Sequence, residues 1–166
     1  MPEKERTVIV NTTPLISLAI IGKFDLLKKI YTKVFIPKAV HQEILAGGEE
    51  SPGFKELQSA RWVKIAEISD EKAREFLLLE LDEGESEVII LAEEKKADLV
   101  ILDDHLARSI AELRGLKITG TLGVLIKAKK LGFILEIKSL IGTLRKNGIW
   151  ISDRVYEIVL KEAGEF

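Results

Sequence analysis

The chain has 166 residues, 46% hydrophobic and 31% charged, a composition typical of one globular domain, here expected over residues 1–166. It has no cysteine, which excludes disulfides, zinc-thiolate sites and thiol catalysis, and no apolar run approaches the ~20 residues of a membrane span. We expect a cytoplasmic protein, because no secretory signal precedes the polar turn at Asn11.

The net charge of −2 hides an uneven distribution. Residues 67–94 carry eleven acidic and two basic residues, whereas residues 117–146 carry seven basic residues and one acidic residue. Such a bias has two interpretations: the charges lie on solvated helix faces, or they form a basic rim beside an acidic centre. Lys and Glu are abundant and there is a single Met, a composition that favours a thermophilic source.

Short β-branched runs alternate with longer segments whose apolar residues have helical spacing. Residues 7–10, 34–36, 63–65, 99–102 and 117–119 are predicted strands. Helical patterns lie between them, including "PKAVHQEILAG" and "GESEVIILAEEKKA". This alternation predicts an α/β fold with a parallel sheet.

The loop "AGGEESPG" around Pro52 is either a lid or a connector, and connectors are commoner at this length. After Gly120 the strand pattern stops, and three helices are predicted that end at Gly132, Gly148 and Gly164. They form a C-terminal helical extension, about residues 120–166, which we expect to pack on the sheet.

Polar residues follow two of the predicted strands. Asn11 comes directly after "VIV", and Asp103 and Asp104 come after "LVIL". The carboxyl ends of parallel strands share one edge, where sites form, so these side chains face one crevice if their strands are neighbours.

Two glutamates add to this group. Glu43 lies in "VHQEIL" beside a stripe of Val40, Ile44 and Leu45 that is expected to face the core, and Glu85 opens a helix next to Gly84. Taken singly, each acid has an ordinary explanation as a cap, a first-turn charge or a boundary residue. Brought together, they require protons or a divalent cation, and oxygen ligands suit Mg²⁺ or Mn²⁺.

Several long segments carry a resemblance to a known family. They are "VIVNTTPLISLAIIGKFDLL", "VFIPKAVHQEIL", "LDEGESEVIILAEEKKADLVILDDHLARSIAELRGLKITGTLGVLIKAKKLG" and "GIWISDRVYEIVLKEAGE". The chain resembles PIN-domain proteins of the DUF3368 group. The resemblance implies a three-layer α/β/α sandwich around a parallel sheet, with metal-dependent ribonuclease activity in many members and a toxin role in many toxin–antitoxin pairs.

The resemblance also implies a site. Its four acidic positions correspond to Asn11, Glu43, Glu85 and Asp104, with Asp103 as a further candidate for the last. Glu43, Glu85 and Asp104 would be catalytic, and all five would bind the metal. The first position usually holds Asp; Asn11 still offers an oxygen but removes one negative charge, which Asp103 could return.

Three further residues are candidates for substrate binding. Thr12 and Thr13 offer hydroxyls to a phosphate or a metal-bound water, or they stabilise the turn. Arg108, one helical turn after Asp104, binds a phosphate or holds Asp104. The two histidines are expected at the surface, because no other nitrogen ligand accompanies them.

The leading functional hypothesis is an endoribonuclease that uses Mg²⁺ or Mn²⁺ to activate water. The main alternative is a PIN-like binding or regulatory module that the Asn11 replacement has weakened or inactivated. A receiver-type phosphoacceptor is a distant third, since its paired acids would follow the first strand. The expected partners are RNA, a small antitoxin and a second copy of the chain.

Overall fold

The sheet has five strands, all parallel, in a computed structural model that describes residues 6–166. Its order is β3-β2-β1-β4-β5. The bounds are Thr7–Val10 for β1, Lys33–Pro37 for β2, Val63–Ala66 for β3, Leu99–Ile101 for β4 and Ile118–Thr119 for β5. All five predicted strands are confirmed within one or two residues at each end.

The strand order reverses direction beside β1. The chain first builds outwards from β1 to β2 and β3, and then crosses to β4 on the other side, where Val8 pairs with Leu99 and Ile9 with Val100. A crevice opens at the carboxyl end of the sheet where two such halves diverge. The loops that follow β1 and β4 therefore border the same crevice.

Ten helices are formed by the described residues and cover both faces of the sheet. They are α1 Thr12–Ile20, α2 Leu26–Ile30, α3 Lys38–Ala46, α4 Phe54–Ser59, α5 Glu71–Leu77, α6 Glu83–Lys95, α7 His105–Leu113, α8 Thr121–Lys130, α9 Lys138–Lys146 and α10 Asp153–Glu162. The predicted α/β/α sandwich with additional C-terminal helices is confirmed.

The core follows from the apolar runs. Val8, Ile9 and Val10 of the central strand are fully buried because helices cover both of its faces. The helix α6 packs against β1, β2 and β4 and is buried along most of its length, from Gly84 to Ala92. This helix carries Glu85 at its first turn, so a rigid element fixes that residue.

One expectation needs correction, and one helix was not predicted. Leu45 is 36% exposed, because Val40 and Ile44, one helical turn apart, already form the buried stripe of α3, and Leu45 lies to one side of it. The sequence patterns also did not predict α4, whose six residues are too few to show a helical period.

The C-terminal helices are held by one glutamate near the end of the chain. Glu165 Oε2 accepts hydrogen bonds from Lys129 Nζ of α8, at 2.9 Å, and from the Ile137 N–H, at 2.8 Å. Its other oxygen accepts from the Lys138 N–H at the start of α9, at 3.0 Å. Glu165 thus connects the last residues of the chain to α8 and α9. None of the helices in residues 6–166 is long and apolar enough to cross a membrane.

Candidate active site

Asn11 lies between the ends of β1 and β4. Its backbone N–H donates to Ile101 O at 3.0 Å, and the residue is 5% exposed. It occupies the N-cap position of α1, yet its side chain makes no capping bond, and its buried Oδ1 has no hydrogen-bond partner among the described residues. Buried polar atoms are normally satisfied, so this oxygen is available to a ligand.

The next residue connects α1 to α3. Thr12 Oγ1 donates to Glu43 Oε2 at 2.5 Å. The Glu43 carboxyl lies against Gly84 of α6, where an added Cβ would come within 3.0 Å of Glu43 Cδ. Only a glycine at this position lets the carboxyl approach the α6 backbone so closely.

The start of α6 adds an acid that the sequence patterns did not single out. Asp82 Oδ1 accepts from the Glu85 N–H at 2.8 Å, while Glu85 Oε1 accepts from the Asp82 N–H at 3.1 Å. This capping box has a recognisable signature, Asp followed three residues later by Glu, and that spacing could have identified Asp82.

The fourth acid, Asp104, caps α7. Its Oδ2 accepts from the Ala107 N–H at 2.9 Å. We call Glu43, Asp82, Glu85 and Asp104 the acidic edge. None of the four makes an ion pair with a residue of the described chain.

The pKa values of Glu43 and Glu85 are both raised at the acidic edge. Burial raises the pKa of Glu43, the hydrogen bond from Thr12 opposes this, and the charge of Asp82 adds to it, for a net increase. Glu43 as a whole is exposed, but its carboxyl end is packed against α6, which accounts for the burial effect. Burial likewise raises the pKa of Glu85 to about 7, and the charges of Asp82 and Asp104 contribute.

Asp103 faces a different neighbour from Asp104. Its Oδ1 accepts from the Thr121 N–H at 2.7 Å and its Oδ2 from Thr121 Oγ1 at 2.6 Å. A Cβ at Gly120 would come 2.6 Å from Asp103 Oδ1, so the glycine permits this contact. Asp103 therefore anchors the N-terminus of α8, and both of its oxygens already accept hydrogen bonds.

The remaining candidates lie around this group. Arg108 Nη1 donates to Leu102 O at 3.1 Å, and no ion pair joins Arg108 to Asp104 in residues 6–166. Its two expected roles, binding a phosphate and holding Asp104, stay predictions. Thr13 is exposed and borders a cavity beside Asp103. His105 is exposed and His41 half-buried.

The contacts bring the candidates together as a chain rather than as one cluster. Thr12 is hydrogen-bonded to Glu43, and the Glu43 carboxyl lies against the start of α6. Glu85, in the first turn of α6, is close enough to Asp104 for the charge of Asp104 to raise its pKa. Within residues 6–166, no group of three or more His, Asp or Glu side chains is close enough to hold a metal ion by itself.

Two buried polar residues of α6 were also missed. Glu87 is 8% exposed and accepts from the Ala39 N–H at 3.1 Å and from Arg74 Nε at 2.9 Å. Ser86 is fully buried, and its Oγ has no partner among the described residues. The sequence gives no signal for either, because both lie in the polar stretch "EGESE" that opens α6, and their burial depends on how this helix packs.

The family model of DUF3368, a PIN domain, matches residues 7–165. The chain belongs to the PIN domain family. Among solved structures, its fold is similar to a PilT N-terminus domain protein from the hyperthermophilic archaeon Sulfolobus solfataricus P2, with a TM-score of 0.53 and 20% identity over 74% of this chain and 92% of that one. No curated protein matches the chain in sequence.

Membership of the PIN family supports a general class of function. The family is of nuclease type and points to RNA as the bound partner. It also removes the receiver-type alternative. The acidic edge and Asn11 lie at the carboxyl end of the sheet, where an α/β protein carries its chemistry.

Proposed function

We propose that this PIN domain is an endoribonuclease that depends on a divalent metal ion, Mg²⁺ or Mn²⁺. The observation that carries the proposal is the acidic edge, four carboxylates with no cationic partner among the described residues. Other acids of the same region are compensated, because Glu83 and Glu87 both pair with Arg74. Uncompensated carboxylates at neighbouring positions are stabilised by a bound cation.

The donor atoms fit a hard cation. They are all oxygens, they include the unpartnered Oδ1 of Asn11, and no cysteine or histidine accompanies them. Mg²⁺ commonly keeps several waters and binds to one or two protein carboxylates plus substrate phosphates, so a site without three converging acids suits it. One or two carboxylates among Glu43, Glu85 and Asp104 would bind the ion directly, and Asn11 and the remaining carboxylates would hold it through its waters. The ion would supply an activated water and charge stabilisation at the scissile phosphate.

Hydrogen bonds within the chain hold the three carboxyl groups in place before any ligand binds. Thr12 fixes the Glu43 carboxyl, the capping box fixes Glu85, and the first turn of α7 fixes Asp104. Glu85, with a pKa of about 7, can hold a proton near neutral pH and release it when a cation arrives. Asp103 would not bind the ion directly, because both of its oxygens accept hydrogen bonds from Thr121 of α8. It would instead add negative charge near the ion.

The test is cleavage of single-stranded and structured RNA in Mg²⁺, Mn²⁺ or chelator. Glu43→Gln, Glu85→Gln and Asp104→Asn remove one charge each while keeping an oxygen for the observed hydrogen bonds. Each should lower the rate by about 100-fold or more, because a bound metal ion contributes several kcal/mol. Glu80→Gln, an exposed glutamate outside the acidic edge, is the matched control. Cleavage that persists in chelator, or in all three variants, would exclude the proposed site.

The second candidate is a binding or regulatory module without catalysis. The observation that favours it is the amide of Asn11, which leaves the site one charge short, together with the absence of three converging acids in the described chain. In that case RNA would bind without cleavage in any metal. Restoring the charge with Asn11→Asp separates the two candidates, as set out in the Discussion.

We also propose a toxin role, with capture by a small antitoxin and self-association. Of the two apolar segments that suggested it, "FDLLKKI" is core, since Phe24, Leu26 and Leu27 are buried. The segment "FLLLEL" supports the proposal better, because Phe76 is 70% and Leu79 is 79% exposed. Light scattering tests the self-association, and a monomer at micromolar concentration would contradict it.

A further inference from the structure

A cavity of about 610 Å³ is lined by Asp103, the residue before Asp104 of the acidic edge, and by residues of α1, α8 and α10. Its lining includes the junction of β5 and α8, with Thr119, Gly120 and Thr121, and the segment between α9 and α10. Apolar side chains such as Leu144, Ile149 and Val159 supply most of the lining. The volume and the apolar walls suit a flat organic ring with polar groups at its margin.

Trp150 stands at the rim of this cavity and is 85% exposed. Nothing in the fold requires an indole there: the ring contributes nothing to the buried core, and its neighbours Ile149 and Ile151 make the contacts with it. A large aromatic side chain held out beside a cavity offers a face on which a nucleic-acid base can stack.

Arg108 of α7 also lines the cavity and supplies positive charge there. The only hydrogen bond of its side chain within residues 6–166 is to Leu102 O, and it makes no ion pair there. Asp103 also borders the cavity, but both of its oxygens are bound to Thr121. The remaining N–H groups of the guanidinium are therefore free to bind a phosphate.

The loop after β4 contributes neighbouring residues to the cavity and to the acidic edge. Asp103 lines the cavity, and Asp104, the next residue, belongs to the acidic edge. A strand of RNA whose scissile phosphate lies at the acidic edge would therefore place an adjacent nucleotide at Arg108 and Trp150.

We propose that this cavity binds one nucleotide of single-stranded RNA next to the scissile phosphate, with the base stacked on Trp150 and the phosphate on Arg108. The proposal rests on the proposed function for its choice of RNA. Duplex RNA is excluded, because its bases are already stacked and paired and cannot present a face to the indole.

The first experiment measures binding without cleavage. In metal-free protein carrying Trp62→Phe, Trp150 is the sole tryptophan, and a short single-stranded oligoadenylate should quench its fluorescence to saturation. The same strand paired in a duplex should not. An unchanged Trp150 signal in the single strand, or equal quenching by the duplex, would overturn the proposal.

The second experiment measures affinity by anisotropy of a labelled oligoadenylate. Trp150→Ala should weaken binding about 5- to 100-fold, whereas Trp150→Phe should keep most of it. Arg108→Ala should weaken binding and reduce the salt dependence by about one charge. Leu113→Ala is the control, since Leu113 is 88% exposed and does not line the cavity. Equal affinity of Trp150→Ala and wild type would overturn the proposal.

Cleavage is assayed separately with Mn²⁺, so the two proposals can fail independently. Cleavage that depends on Glu85 but not on Trp150 leaves the nuclease function intact and refutes the nucleotide subsite. Binding that depends on Trp150, without cleavage in any metal, supports the subsite and refutes the nuclease function. A protein that binds no single-stranded RNA refutes the subsite outright.

Discussion

Glu85→Gln should make the metal-free protein more stable above neutral pH. The folded protein raises the pKa of Glu85 from 4.5 to about 7, so the folded state holds this proton more tightly than the unfolded state does. The free energy of unfolding therefore falls as the pH rises from about 4.5 to about 7, and the full cost applies above pH 7. Glutamine does not titrate and keeps an oxygen for the Asp82 N–H, so the variant avoids this cost.

The shift of the pKa from 4.5 to about 7 corresponds to about 3 kcal/mol as an upper limit. Glu85 is half-buried, so solvent screening reduces the effect, and we expect about 1–3 kcal/mol. In a protein of this size that difference raises the Tm by about 2 to 10 °C at pH 8. The gain should disappear at about pH 4.5, where both proteins are uncharged at this position.

The assay is thermal unfolding by circular dichroism at both pH values, with Glu80→Gln as the control that removes an equal charge elsewhere. Adding Mn²⁺ should reverse the order, because wild type binds the ion more tightly and a ligand of the folded state raises its stability. A Tm of Glu85→Gln equal to or below that of wild type at pH 8 would refute the inference that the acidic edge is electrostatically strained.

Three further substitutions test other parts of the molecule. Asn11→Asp should lower the Tm of the metal-free protein at pH 7 and strengthen Mn²⁺ binding by calorimetry; a loss of stability that Mn²⁺ does not restore would favour the binding module. Burial raises the pKa of Glu165, but hydrogen bonds from Lys129 and two backbone N–H groups outweigh it and lower the pKa. Glu165→Gln should therefore cost about 1–2 kcal/mol at pH 7, and the difference should vanish as the pH falls below 4; a pH-independent loss would contradict this. Glu87→Ala should cost about 2–4 kcal/mol in urea unfolding because it removes the acceptor of both Arg74 Nε and the Ala39 N–H. A cost below about 1 kcal/mol would show that Glu83, which also pairs with Arg74, compensates for the loss.

The sequence predicted the strands well because parallel strands buried on both faces are almost wholly apolar. That property placed Asn11 and Asp104 at the ends of two strands, and the pairing of β1 with β4 brings them to one edge as expected. The helix positions of Glu43 and Glu85 were also predictable. Their contacts were not, since the bond from Thr12 to Glu43 depends on how α1 and α3 pack together.

The contacts and exposures that sequence patterns missed are set by the tertiary packing or by local capping. The bond between Asp103 and Thr121 exists because α8 starts beside the end of β4, and no sequence spacing encodes that distance. Trp150 lies between Ile149 and Ile151 in the short segment that joins α9 to α10, where no periodic pattern shows which of the three apolar side chains is exposed. Asp82 differs from these, because its capping-box spacing was present in the sequence.

Gly84 carries no functional group, yet the acidic edge depends on it. Adding one methyl group at this helical position normally favours folding by up to about 1 kcal/mol, but here it would occupy the place of the Glu43 carboxyl. A screen for loss of activity should therefore recover Gly84→Ala together with changes of the acids themselves, in molecules that remain fully folded. A residue without a reactive group can therefore be as intolerant of substitution as a catalytic acid, when its small size leaves the space that the acid occupies.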